Sequence, residues 1–226
     1  MTTPAPIRAL AWSERTEPAQ VYPDGINGAI AATLGRQADI VARTAQLDDP
    51  EQGLSEAALA DADVLLWWGH GRHKDVTDES VERIVRHVRE RGMGFIPLHS
   101  SHFSRAFIAL NGTTCGLGAW REDGRPAHVF VVEPDHPIAA GLPHYVVIPA
   151  EEMYAERFDI PPPDELVFIS SFQGGGEVFR SGCCWQRGAG RVFYFQAGHE
   201  TYPVYFQPEI QTILVNATRW AAGRTE

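Results

Sequence analysis

Three histidines stand where an apolar run stops. His70 follows Val64, Leu65, Leu66, Trp67 and Trp68; His99 follows Phe95, Ile96, Pro97 and Leu98; His199 follows Val192, Phe193, Tyr194 and Phe195. Continuous apolar runs of this length read as strands of a sheet covered on both faces. If such strands are parallel, their C-terminal ends share one edge, where open α/β sheets build their sites. Three imidazoles far apart in sequence would then face one crevice, and the chemistry would be metal binding or proton transfer. One such histidine alone is equally well explained as satisfying a strand-end backbone group. Three together point to a site.

His70 and His73 are separated by two residues, and His99 and His102 repeat the spacing. Neutral imidazole is a favoured ligand for zinc and other first-row metals. The spacing lacks the helical register of HExxH, so each pair is expected to contribute one inward member. Carboxylates come from Glu151 and Glu152, for which a solvated turn is the plainer explanation, and from Glu200 beside His199. An open catalytic site takes three protein ligands and leaves a position for water or substrate. His70, His99, Glu152 and His199 are the expected ligand set, with zinc the expected divalent ion. Glu152 or His199 is the candidate base. Tyr154, two residues beyond Glu152, points the same way if the segment is extended, and it and His102 would orient substrate.

A hydrolase would need a nucleophile on a strand-to-helix elbow. Leu98 to His102 offers Ser100, which His99 or His199 could activate, but G-x-S-x-G is absent, and Cys115, Cys183 and Cys184 do not sit at such a turn. Gly174 to Gly176 lacks the following helix and Lys-Ser/Thr of a phosphate cradle and reads as a turn. Trp68, Trp120, Tyr154, Trp185, Tyr202 and Tyr205 could wall a sugar site, although aromatics are more often core. Trp68 and Tyr202, near strand ends, are the ones assigned to substrate.

The elements that must position these residues alternate. Strands are expected at Ile7 to Trp12, Ala38 to Ala42 and before His70 and His99, with helices at Gly25 to Leu34, after a Ser55 N-cap, and from a Thr77 cap over Val81, Ile84, Val85 and Val88 to Gly92 or Gly94. Ser100 or Ser101 is the expected cap of the helix after the elbow. The glycine-rich stretch from Asn111 to Trp120 is either a surface loop or a cover for the crevice. Extended segments follow at His128 to Glu133, Tyr145 to Pro149, Leu166 to Ser171, Glu177 to Cys184 and Arg191 to Gln196, the last two joined as a hairpin. A final helix runs from Gln207 to Ala222. The expectation is one α/β domain over 1–226, mainly parallel, with helices on both faces and a β-rich C-terminal half.

The 226 residues can bury a substantial core, and 44% hydrophobic with 21% charged residues is ordinary globular composition. A net charge of −10 with no basic block argues against nucleic acid. No stretch has the apolar length to cross a bilayer, and the start MTTPAPIRALAW lacks a basic region followed by an apolar signal, so a cytoplasmic location is expected. Three cysteines form no disulfide framework. Apolar and aromatic residues near the C-terminus leave a surface for a homo-oligomer.

WWGH, GMGFIPLHSSHFS, DHPIAAGL, EEMY, GGGEVFRSGCCWQRGAGRVFYFQAGHETYP and RWAAG together resemble the trehalose-utilisation, or ThuA-like, family over nearly the whole chain. The resemblance implies a flavodoxin-like, class I glutamine amidotransferase-like sheet with its site at the elbow. The elbow cysteine of amidotransferases is replaced by the His99–Ser100 region, which excludes thiol-dependent glutamine hydrolysis. The implied role is carbohydrate catabolism on a disaccharide or a 3-keto-sugar supplied by a sugar dehydrogenase, by metal-assisted proton abstraction with cleavage or isomerisation. The competing reading is a sugar-binding or regulatory protein without chemistry.

Overall fold

In the computed structural model, which describes residues 5–224, the chain forms one nine-stranded sheet. Its first half alternates: β1 (Ile7–Ser13), α1 (Gly25–Leu34), β2 (Ile40–Gln46), α2 (Glu56–Ala60), β3 (Val64–Trp68), α3 (Asp78–Arg91), β4 (Gly94–Leu98) and α4 (Arg105–Asn111). The second half is β5 (Ala119–Val131), β6 (Tyr145–Ala155), β7 (Glu165–Phe172), β8 (Val178–Arg187), β9 (Gly190–Phe195) and α5 (Pro208–Ala221). The sheet order is β2-β1-β3-β4-β9-β8-β7-β5-β6. From β2 to β9 every pairing is parallel, and from β9 to β6 every pairing is antiparallel. The sheet is thus mixed, with the parallel half carrying the α/β layers.

The central parallel strands β3 and β4 are apolar along their whole length because both faces are covered. Every residue of β3 and β4 is buried. Helices α1 and α5 pack together over one face, and α2, α3 and α4 associate over the other. Helix α3 shows why a short sequence pattern suffices. Thr77 accepts from the Ser80 amide, Asp78 and Glu79 lie in the first turn, Arg89 and Arg91 in the last, and Gly92 ends it in the left-handed region at φ 76°. Its buried face includes Val81, Ile84 and Val88. Ser55 caps α2 in the same way, accepting from the Ala58 amide.

Several boundaries differ from those expected. The second strand is Ile40–Gln46, because residues 38 and 39 belong to the turn in which the Ile40 amide donates to the Gln37 carbonyl. After β4 the chain makes a 3₁₀ turn over His99–Phe103, and Ser104, not Ser100 or Ser101, caps α4 through the Phe107 amide. Ser101 is committed elsewhere: its Oγ accepts from the Gly69 amide and donates to the Trp67 carbonyl. Strand β5 begins at Ala119 and β6 runs on to Ala155, so both are longer than the apolar segments that signalled them. Their outer ends pair with each other and project over the C-terminal edge of the parallel strands.

Candidate active site

Strands β3, β4 and β9 are parallel neighbours, with Trp68 in register with Leu98 and Leu98 with Phe195. His70, His99 and His199 therefore leave the sheet at one edge. Their ring centroids form a nearly equilateral triangle: 5.4 Å from His70 to His99, 5.0 Å from His70 to His199 and 5.3 Å from His99 to His199, with ring planes 74–84° apart. Glu152 on β6 completes the group. Each of the four offers a ligand atom within 4.8 Å of the others, and three of them are buried.

His99 occupies the elbow in a left-handed conformation at φ 53°, which a non-glycine residue adopts only under constraint from its surroundings. Here Tyr194 donates its hydroxyl to the His99 carbonyl at 3.0 Å, and His99 Nδ1 donates to the Gln196 carbonyl at 3.1 Å. A proton fixed on Nδ1 turns Nε2 toward Glu152 Oε2, 3.2 Å away. His70 is oriented the same way: Nδ1 donates to the Glu200 carboxylate at 2.6 Å and 2.7 Å. His199 Nδ1 accepts from the Thr201 amide at 3.3 Å and lies 2.8 Å from Thr201 Oγ1, whose hydroxyl donates on to Glu122 Oε1 at 3.4 Å. Each ring thus has Nδ1 engaged by the protein, donating at His70 and His99, while Nε2 of His99 turns to Glu152 and Tyr154 and the rings of His70 and His199 line the cleft. This is how protein-held metal ligands are oriented.

Two further carboxylates hold the loops that carry the histidines. Glu14, just beyond β1, accepts from the amides of His70, Gly71 and Arg72. Glu151 accepts from the amides of Glu152, Gly198 and His199. Glu151 and Glu152 are buried, so the solvated turn is excluded; they lie inside β6 and point to opposite sides, Glu151 to the backbone and Glu152 to the cleft. Gly198, at φ 131°, makes the close approach possible: a Cβ there would fall 2.0 Å from the Tyr205 hydroxyl.

Charge follows from this packing. For His99, burial opposes the charged form, but the Glu152 contact and the Glu151 and Glu152 charges outweigh it and raise its pKa. For Glu152, burial pushes upward, and the contact with His99 together with the charges of His99, His199 and His70 brings it below the usual carboxylate value. Burial alone raises Glu151. Burial and the nearby His99 lower His199. Glu200 is held down to about 2: against the effect of burial, the His70 hydrogen bond and charge win.

The cleft above this floor is about 270 Å³ and open to solvent, near the lower limit of small-molecule sites. Ser100, His102, Tyr154 and Glu152 line one part, and Phe103, Leu117, Trp120 and Glu122 the rim. Ser100 Oγ is 2.6 Å from the Tyr154 hydroxyl, which is 3.4 Å from His99 Nε2. The partner of Ser100 is therefore a phenol, not the imidazole a serine nucleophile needs. His102, whose ring lines the cleft, donates from Nδ1 to the Cys115 carbonyl at 2.7 Å, and its buried Nε2 has no hydrogen-bond partner among the described residues. His73 lies outside the ligand group and packs edge-on against Phe103.

Trp68 does not wall the site. It is fully buried, and its indole donates to the Gly198 carbonyl at 3.0 Å, because both faces of β3 are covered. Tyr202 is displaced as well: its ring is 5.5 Å from that of His199, but it lines a neighbouring apolar hollow with Pro149, Val204 and Phe206. Trp185 and Tyr205 are core. Glu14, Glu122, Phe103 and Leu117 were missed. Only Glu14 carried a signal, an acidic residue directly after an apolar strand, as the histidines are.

A family model described as ThuA, trehalose utilisation, matches residues 8–221. The chain belongs to the ThuA family. That membership ties it to carbohydrate use. Solved structures agree on the fold. A ThuA-like protein from Parabacteroides merdae is 17% identical with a TM-score of 0.70, over 96% of this chain and 90% of that one. A second, from Bacteroides uniformis, is 18% identical with a TM-score of 0.67, over 98% and 94%. The glutaminase domain of Trypanosoma brucei CTPS, with bound acivicin, is 12% identical with a TM-score of 0.53, over 97% and 95%. The ThuA-family chain thus has the amidotransferase-like fold, with His99 at the elbow. Comparison with curated proteins finds no match. No helix among the described residues is long and apolar enough to cross a membrane.

Proposed function

We propose that this ThuA-family protein is a cytoplasmic enzyme that removes a proton from a disaccharide or keto-sugar, with a divalent ion, zinc foremost, held by the histidines at the cleft floor. The observation that carries this reading is the convergence of His70, His99, His199 and Glu152 within 4.8 Å. The donor set fits a metal. Glu152 Oε2 is buried without an aligned hydrogen-bond partner, and each imidazole has its other nitrogen anchored, His70 by a carboxylate. Three histidines suffice to hold the ion, which when bound would supply Lewis-acid stabilisation of charge on a carbonyl oxygen.

Glu152 is then free to act as base. In a sugar with a carbonyl at C3, the C2 hydrogen is acidic. Oε2 of Glu152 takes that proton, the C2 electron pair forms the C1–C2 double bond, and the C1–oxygen bond breaks, the leaving oxygen taking the proton back from Glu152; water then adds across the double bond, its hydroxyl to C1 and its proton to C2, which completes the separation of the two sugars. Tyr154, with its pKa raised by burial and by the Glu152 charge, keeps its proton and, with Ser100, offers hydroxyl donors beside the reacting carbons. A sugar dehydrogenase would supply the ketone. The test is incubation of a 3-keto-disaccharide in D2O. Deuterium at C2 and separated sugars are expected with wild type and not with Glu152→Gln. Unlabelled, intact substrate after incubation with metal-loaded wild type would sink the reading.

A further inference from the structure

One face of the antiparallel half of the sheet is covered by nothing among the described residues. Val129, Phe130, Val131 and Val132 run on without a polar residue, and so do Tyr145, Val146, Val147 and Ile148. A strand with one wet face alternates apolar and polar side chains, whereas an unbroken apolar run belongs to a strand covered on both sides. Here only one side is covered. Val146, Val129 and Ser170, in register across β6, β5 and β7, are at most 3% exposed. On the other side Tyr145, Phe130 and Ile169 form one row and Val147, His128 and Ser171 the next, and none of the six is buried. Tyr145 is 50% exposed, and Phe130 and Val147 are each 40% exposed. The Tyr145 ring lies 5.8 Å from that of Phe130 and 6.0 Å from that of His128, so the three form one aromatic cluster facing outward.

Charge selects what can cover this face. With a net charge of −10 the chain repels its own copy over most of its surface. The two rows hold no carboxylate. At their β8 border stand Val178 and Arg180, and the Arg180 guanidinium is tied to the Glu156 carboxylate at 2.8 Å and 3.0 Å. A second copy therefore meets no like charge here, and a basic partner finds nothing to pair with. Aromatic side chains without carboxylates are the composition of an interface core. At about 4.8 Å between strands and about 3.4 Å per residue the face spans roughly 300 Å². That suits the apolar centre of an interface that takes about 800 Å² from each partner once its polar rim is included.

We infer that two copies of this chain pack these sheet faces on each other about a two-fold axis, so that one self-complementary patch serves both. Each copy supplies the second cover that the apolar runs of β5 and β6 call for. The contact lies outside the cleft and does not depend on the reaction carried out there.

Sedimentation velocity of the full chain from about 1 to about 100 µM, a range that spans weak to stable pairing, tests this with wild type, Tyr145→Glu, Val147→Glu and Val41→Glu. Val41 is 56% exposed on β2, at the opposite end of the sheet. Wild type and Val41→Glu should sediment as dimers. Tyr145→Glu and Val147→Glu should each raise the dissociation constant at least about 100-fold, since each buries a carboxylate against its own copy, with circular dichroism unchanged. Tyr145→Ser takes the place of Tyr145→Glu if the charged variant does not fold, with the same direction expected. In wild type the amides of residues 128–131 and 145–148 should exchange more slowly at the higher concentration. A wild type that stays monomeric throughout, a dimer that both face variants leave intact, or one that Val41→Glu dissociates equally overturns the inference. The carbohydrate reading stands under each of these outcomes.

Discussion

Glu152 Oε2 and His99 Nε2 lie 3.2 Å apart, with both side chains almost entirely out of solvent. A carboxylate at that separation from a metal-binding imidazole sits beside the ion that the three histidines would hold, and is left to take a proton from the substrate. Glu152→Gln keeps the shape of the side chain but cannot take a proton. Turnover of the sugar substrate should fall at least ~100-fold, with metal content and the circular dichroism spectrum unchanged. Turnover within a few-fold of wild type would remove Glu152 from the base role.

Glu200 acts on the site through His70. Its carboxylate receives the Nδ1 proton at 2.6 Å and so sets which nitrogen faces the cleft. Glu200→Gln should weaken metal binding about 10–100-fold, measured by competition with a chromogenic chelator, without changing the melting temperature of the metal-free chain by much.

Glu14 ties three consecutive amides, those of His70, Gly71 and Arg72, to the end of β1. Removing a buried acceptor leaves each donor unsatisfied. Glu14→Ala should therefore lower the urea-derived stability by about 2 kcal/mol or more and make the amides of residues 70–72 exchange faster. An unchanged unfolding midpoint would show that water replaces the carboxylate freely.

His102 gives a pH dependence of definite sign. Burial depresses its pKa to about 3 from the ordinary 6.5. Above pH 6.5 both folded and unfolded chains hold it neutral, and it contributes nothing pH-dependent. Below that value the unfolded chain takes up a proton that the folded chain refuses, so stability falls by ~1.4 kcal/mol for each pH unit until the folded value is reached. His102→Gln should show a shallower decline between pH 6 and 4 by about one proton, read from denaturation midpoints across that range.

Helix α3 and strands β3, β4 and β9 were legible because their signals are local. A cap, a 3.6-residue period and a glycine, or an apolar run with a stop, each need only a few consecutive residues. The ligand candidates were legible for the same reason, since each histidine sits just beyond such a run. Trp68 was misread because an apolar run does not tell which of two covered faces a side chain enters. Strands β5 and β6 were cut short because the outer part of β5, with Arg121 to Arg125, is polar and partly exposed, and because the buried carboxylates Glu151 and Glu152 interrupt the apolar run of β6.

By itself the amino-acid order determined the parallel α/β half, the edge at which the histidines emerge and the family of the fold, because hydrophobic patterning and capping act over one or two turns of chain. Tertiary structure alone decided which polar atoms face the cleft. Glu14 beside His70, Glu200 on His70 and Gln196 behind His99 are juxtapositions across tens of residues or more. Nothing in local sequence encodes a contact whose partner arrives from another strand of the sheet.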